Sequence, residues 1–211
     1  MYLEHDIKFT ENNLQYFLKY QENLSKHKFH LGFLIYEQNH KNNLNYCIHV
    51  AKQFDKFLNI ENQKYFINDF ENYCCFWLYN KKIFSDFINS DFWSFKKRLT
   101  NFRHNYGITE RSALGLHSLN ASYFKATLIP EIDSHLDSNC FIEHITNNYF
   151  DRFIDENKKK FNDIRGVCKF HTDEIISIKK NQKEIKNNFF LNKFFKNLLW
   201  KFRFITRLVK K

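Results

Sequence analysis

The sequence predicts an α/β domain in which helices flank a mixed sheet. Short apolar runs typical of buried strands alternate along the chain with segments whose apolar residues recur at helical spacing. With 211 residues, the chain is also long enough to bury a sizeable core within one domain. We therefore expect a sheet-based domain of ordinary size.

The first predicted helix covers Thr10–Tyr20. Thr10 is a suitable N-cap because its hydroxyl can accept a hydrogen bond from a backbone N–H in the first turn. Leu14, Phe17 and Leu18 lie on one face at helical spacing. We expect this apolar face to cover the sheet.

Four apolar runs predict strands, at Phe29–Tyr36, more weakly at Tyr46–Val50, at Cys75–Asn80 and at Ala126–Ile129. The polar segment Glu37–Asn43 predicts a connecting loop, and Pro130 is expected to end the last strand. A second helix is predicted over Lys81–Asn89, with an apolar side formed by Ile83, Phe84, Phe87 and Ile88.

The chain has a formal net charge of +10, which permits an anionic partner such as a phosphate-bearing substrate, nucleic acid or an anionic lipid surface. Much of the excess lies in the tail 186–211, which has no acidic residue. Large apolar groups and cations alternate there at helical spacing, as in a helix that lies in a membrane interface. The alternative is a C-terminal helix packed on the domain.

The number and spacing of the cysteines argue against two uses of this residue. There are five, an odd number, and none has CxxC spacing, which argues against a secreted disulfide framework and against a zinc site. Reduced thiols in a cytoplasm are the expected state. A mean hydropathy of −0.60 argues against an integral membrane protein. A spanning helix also needs about 20 apolar residues in succession, and the sequence has no such run.

Two carboxylates stand near the start of the chain. A short apolar approach leads to Glu4 and Asp6, which a strand end would present on the same side. Carboxylate oxygens suit Mg²⁺ or Mn²⁺, and the phosphates of a nucleotide can fill the remaining positions around the ion. The alternative is a solvated strand end without a ligand.

Three strings resemble motifs of one enzyme family. Tyr-Leu-Glu-His-Asp-Ile at 2–7 resembles the DxD motif of bacterial GT-A glycosyltransferases, with Glu4 and Asp6 as its acids. The segment 106–113 is similar to the acidic helix start after the acceptor loop, and 142–149 resembles an ending in which a late histidine returns to the metal. The order and spacing match over residues 1–150.

The resemblance implies a set of site residues. It places the ligands of Mn²⁺ or Mg²⁺ at Glu4, Asp6 and His144, and the general base at Glu110. It also implies donor or acceptor contacts from Trp77, Asn147 and Asn148. Two alternatives stay open: Glu110 can instead stabilise the first turn of a helix, and Trp77 can instead lie in the core.

The resemblance further implies a sugar transfer from a nucleotide donor to a surface glycan or a lipid-linked acceptor, either inverting or retaining. We expect a GT-A-like portion at 1–150, a polar linker at 151–185 and the basic tail at 186–211, held at the inner membrane of a bacterium. In such enzymes a nucleotide-binding segment precedes the DxD motif, whereas here only Met1 does. We therefore expect a partial enzyme; the alternative is a non-enzymatic remnant or a module that binds membrane or RNA.

Overall fold

The computed structural model describes residues 1–39, 43–48, 54, 56–68, 76–90, 126–146 and 183–185. Within these ranges the fold is mixed α/β, as the sequence predicts. Its helices are α1 (Glu11–Lys26) and α2 (Lys81–Ile88). Its strands are β1 (Tyr2–Leu3), β2 (Ile7–Lys8), β3 (His30–Leu31), β4 (Leu34–Asn39), β5 (Leu44–Ile48), β6 (Lys56–Ile60), β7 (Gln63–Asn68), β8 (Phe76–Trp77), β9 (Thr127–Ile132), β10 (His135–Leu136), β11 (Phe141–His144) and β12 (Lys183–Glu184).

The described strands form three sheets. The largest follows the order β10-β9-β7-β6-β12, and β3 also pairs with β9. A four-stranded sheet has the order β2-β11-β4-β5, and β1 pairs with β8 alone. The pairs β3–β9, β4–β11 and β6–β12 are parallel, and the others are antiparallel. Both larger sheets therefore contain parallel and antiparallel neighbours, so the predicted mixed pairing is confirmed.

Gly32 marks the point where the chain leaves the six-stranded sheet for the four-stranded one. The run predicted as one strand is split there into β3 and β4. The backbone N–H of Gly32 donates to the carbonyl of Leu128 over 2.7 Å. A Cβ atom at this position would stand 2.8 Å from Cγ1 of Ile129, so the close approach requires glycine.

Helix α1 begins where the sequence predicts. Thr10 is its N-cap, and its hydroxyl accepts from the backbone N–H of Asn13 while the Asn13 side chain accepts from the backbone N–H of Thr10. The expected apolar face is wrong in two of its three members, because Leu14 is 38% exposed and Leu18 is 61% exposed. The buried face instead comprises Asn13, Tyr16, Phe17, Tyr20, Gln21 and Leu24.

Replacing Thr10 with Ala is expected to lower the free energy of unfolding by about 1 kcal/mol, because an N-cap hydrogen bond of α1 is lost. Urea unfolding of the purified chain measures the difference. Thr10→Ser retains the hydroxyl and should stay near the parent value. Equal stability of the Ala and Ser variants would contradict the role given to this cap.

Two predicted boundaries are wrong for the same reason, since each strand runs further than its apolar residues do. β4 extends to Asn39, so Glu37 belongs to a strand and not to a loop. β9 continues through Pro130, whose carbonyl accepts from the backbone N–H of Asp137. The second helix is confirmed, with Asn80 as its N-cap. The weak strand prediction is confirmed as β5, with its bounds shifted.

The core lies between α1 and the two larger sheets. Its largest fully buried side chains include Leu24, Phe29, Leu31, Leu34, Tyr65, Phe66, Leu128, Ile129 and Ile142. Cys47 and Cys140 are both buried. No helix in the described ranges is long and apolar enough to cross a membrane.

The tail 186–211 and most of the predicted linker lie outside the described residues. At the end of the linker, β12 joins the six-stranded sheet beside β6. The backbone N–H of Ile185 donates to the carbonyl of Phe57 over 2.7 Å, and the Ile185 side chain is buried. The end of the predicted linker therefore contributes to the fold.

Candidate functional site

Three strands of the four-stranded sheet bring Asp6, His144 and Glu37 into one row. β11 lies between β2 and β4, and His144 is paired with Ile7 of β2. The backbone N–H of Ile145 donates to the carbonyl of Asp6 over 2.8 Å, which places Asp6 on one side of His144. Glu37 follows the Tyr36 position of β4, which pairs with Glu143, and so lies on the other side.

The imidazole of His144 contacts both carboxylates. Its Nδ1 lies 2.6 Å from Oε1 of Glu37, and its Nε2 lies 3.2 Å from Oδ2 of Asp6. The hydroxyl of Thr146 is 3.3 Å from Nε2. The Glu37 side chain is fully buried and that of His144 nearly so, whereas the Asp6 side chain keeps 18% exposure. The row therefore opens toward solvent at its Asp6 end.

The start of β11 is held by helix α1. The side-chain amide of Asn13 donates to the carbonyls of Asn139 and Phe141, over 2.7 and 2.9 Å. Asn13 thus serves both the cap of α1 and the strand that carries His144. Since Asn13 is buried, these bonds fix the strand where it enters the sheet.

The pKa of His144 is raised above its ordinary value. Burial alone would lower this pKa, since it disfavours the charged imidazolium. The hydrogen bond and charge of Glu37, followed by the charge and hydrogen bond of Asp6, outweigh burial. The row therefore favours a positive charge between its two carboxylates.

Asp6 also provides a test of whether a metal ion fits. Its Oδ1 is buried and makes no hydrogen bond with any residue that the structure describes. Buried carboxylate oxygens normally have a partner, and Oδ2 of the same carboxylate lies 3.2 Å from His144 Nε2, so this carboxylate is a suitable ligand for a cation. Asp6 and His144 together therefore fit as ligands of Mn²⁺ or Mg²⁺.

Among the described residues, Glu4 does not form a metal-holding group with Asp6 and His144. The strand-end geometry expected for the acid pair is wrong, because both acids belong to the turn between β1 and β2, and the Glu4 carbonyl accepts from the backbone N–H of Ile7. In the part of the chain that the structure describes, no three His, Cys, Asp or Glu side chains are grouped to hold a metal ion. Asp6 and His144 are thus the two predicted ligands that the structure brings together.

Trp77 lies in β8, half-buried within a stack of rings. Its ring centroid is 5.5 Å from that of Tyr79 and 5.9 Å from that of Phe84, with interplanar angles of 28° and 15°. Phe84 is 36% exposed and so reaches the surface. The predicted sugar contact of Trp77 stays a prediction, as do the roles of Glu110, Asn147 and Asn148, which lie outside the described residues.

The sequence interpretation missed Glu37, which it placed in a loop. A signal was present, because Ile35 and Glu37 are two positions apart and share one face of β4. Extending the strand by period-two alternation would have predicted a carboxylate pointing inward. Its polar surroundings in the sequence, Gln38 to Asn43, favoured the loop.

A second buried histidine lies away from this row. His30 in β3 packs against the rings of Phe17 and Tyr79. Its Nδ1 is 2.8 Å from the carbonyl of Leu31, and its Nε2 is 3.4 Å from that of Leu78. Burial lowers the pKa of His30 to about 4, against a weaker opposing effect of the two carbonyls. His30 is therefore a neutral core residue at physiological pH.

The row of Asp6, His144 and Glu37 is the strongest chemical feature of the described residues. Asp6 and His144 were both predicted as metal ligands from opposite ends of the matching segment, and they are 138 positions apart. Searches of protein-family models, curated proteins and solved structures found nothing that matches this chain.

Proposed function

We propose that this chain is the metal-binding part of a glycosyltransferase that uses a nucleotide-sugar donor. The observation that carries the proposal is the contact between Asp6 and His144, at 3.2 Å across 138 positions of sequence. The sequence motifs assign both residues to one metal site. A chance resemblance would not be expected to select two residues that are distant in sequence and in contact in the fold.

The residues suit the binding of a donor diphosphate. Asp6 offers a buried oxygen that makes no hydrogen bond with the described residues, and His144 offers a ring nitrogen directed at the same carboxylate. Mn²⁺ or Mg²⁺ bound there would offset the negative charge of the departing diphosphate. Asp6 is partly exposed, which gives a ligand access from solvent.

The rest of the proposal concerns the acceptor side. Glu110 is proposed as the base that takes the proton of an acceptor hydroxyl, and Trp77, Asn147 and Asn148 as contacts to donor or acceptor. The acceptor is proposed to be a surface glycan or a lipid-linked saccharide at the inner membrane of a bacterium. The basic tail 186–211 would contact the anionic lipid headgroups of that membrane. The mixed sheet with parallel pairs supports a GT-A-like architecture for the domain.

Thermal unfolding with a panel of nucleoside diphosphates tests the donor site. We expect one nucleotide to raise the unfolding midpoint only when Mn²⁺ is present, since a ligand that binds the folded state stabilises it. Asp6→Asn and His144→Gln should abolish this shift. Glu143→Gln is the matched control, because Glu143 lies next to His144 but pairs with Lys8 at the surface. A folded chain that shows no shift with any nucleotide would contradict the proposal.

The net charge of +10 supports a second candidate, a module that binds RNA or an anionic membrane. Such binding should weaken steeply as salt is added, because counterions compete for the anionic partner. It should also be unchanged in Asp6→Asn and His144→Gln. Salt titrations of both variants with a labelled RNA and with anionic vesicles separate this candidate from the enzyme.

A further inference from the structure

We propose that Glu37 is a positioning residue that fixes the tautomer and ring orientation of His144 so that Nε2 is presented to a metal ion. The inference rests on the function proposed above and adds a residue that no motif indicated. Glu37 does not reach the solvent-exposed end of the row, since its side chain is fully buried behind the imidazole. Its action on any ligand therefore passes through His144.

The two distances decide which nitrogen holds the proton of the neutral ring. Nδ1 lies 2.6 Å from Glu37, whereas Nε2 lies 3.2 Å from Asp6. A short hydrogen bond to a buried carboxylate is stronger than a long one to a partly exposed carboxylate. The neutral imidazole therefore carries its proton on Nδ1 and donates it to Glu37.

That tautomer leaves two acceptors facing each other at the open end. The lone pair of Nε2 then points at Oδ2 of Asp6, and Oδ1 of Asp6 has no hydrogen bond with the described residues. A positive ion beside them, or a proton on Nε2, relieves the repulsion between these two acceptors, and the hydroxyl of Thr146, 3.3 Å from Nε2, can also donate to the ring. Glu37 thus prepares the open end of the row for a positive ion, as carboxylates behind metal-bound histidines do in general.

The tautomer can be read without any metal. In ¹⁵N NMR of the metal-free chain at alkaline pH, where the imidazole is neutral, we expect the proton of His144 on Nδ1. In Glu37→Leu the carboxylate of Asp6, 3.2 Å from Nε2, is a stronger acceptor than the Thr146 hydroxyl, 3.4 Å from Nδ1, so the proton should move to Nε2. A wild-type ring protonated on Nε2 would overturn the inference, as would a proton that stays on Nδ1 in Glu37→Leu.

Calorimetric titration with Mn²⁺ alone gives the second readout, and it decides the matter where Glu37→Leu does not fold. Glu37→Gln keeps the side-chain size and should weaken Mn²⁺ binding by about 10- to 100-fold. Glu143→Gln makes the same charge change beside His144 and should bind as wild type does. Equal affinity of Glu37→Gln and wild type would overturn the positioning role while leaving the metal site intact. A wild-type chain that binds no Mn²⁺ would instead contradict the proposed function, and the tautomer would then decide the role of Glu37.

Discussion

Replacing His144 with Leu is expected to lower the free energy of unfolding by about 3 to 5 kcal/mol. Removing one member of a buried ion pair leaves the other charge in the interior, and such changes cost this much in general. Here the remaining carboxylate belongs to Glu37, which is fully buried and loses a hydrogen bond of 2.6 Å. Asp6 contributes less to the loss because water reaches its side chain. Denaturant unfolding measures the change.

A double replacement tests this explanation. Glu37→Leu together with His144→Leu removes both partners, and apolar groups of similar volume in place of a buried pair are often nearly neutral. We therefore expect the double variant to be more stable than His144→Leu alone. The opposite result is a double variant that loses at least as much free energy of unfolding as the two single variants together. That result would show that the cost comes from packing and not from the buried carboxylate of Glu37 that loses its contact with His144.

Acidification is expected to destabilise the fold through His30 by on the order of 3 kcal/mol between pH 6.5 and about 4. The pKa of His30 is about 4 in the folded chain and 6.5 as the ordinary value. Over this interval the His30 imidazole takes up a proton in the unfolded chain but not in the folded chain, so the free energy of unfolding falls as pH falls. Burial between aromatic rings causes the difference, since the imidazolium would lose its hydration there.

His30→Gln isolates this contribution, because Gln keeps a donor but does not titrate. Its free energy of unfolding, followed from neutral to acidic pH, should decline less steeply than that of the wild type. His144 acts in a different interval, since its raised pKa gives a stabilisation that is lost as pH rises above 6.5 through the folded value. Parallel acid profiles for wild type and His30→Gln would contradict the assignment to His30.

The sequence predicted the features of the fold that depend on neighbouring residues. The cap at Thr10 and the two helices depend on spacing within one segment, and they are confirmed. The buried face of α1 was wrong because burial follows specific partners elsewhere in the chain. The amide of Asn13 bonds to carbonyls near residue 140, and Tyr16 donates to the carbonyl of Gly32, whereas Leu18 faces solvent. Residue hydrophobicity carries no information on those partners.

In the candidate site, too, the residues within a local motif were predicted and the residue that depends on distant strand pairing was not. Asp6 and His144 were found because each lies in a recognisable string, and the structure brings them together. Glu37 lies in no such string, and its role depends on β11 being its neighbour, which only the sheet order reveals. The acids Glu4 and Asp6 were expected at a strand end, but the chain turns between them and β2, so period-two alternation does not apply.

The strand that carries His144 is inserted between two strands that precede it by a long stretch of chain. β2 and β4 both flank β11 and do not pair with each other. Both are synthesised long before residues 141–144, and β4 has β5 as its other neighbour. Such pairing across large sequence separation is slow, and open strand edges attract other chains. We therefore expect assembly of the row to be a late step in folding, and we expect a chain that stops before β11 to leave the facing edges of β2 and β4 without this partner.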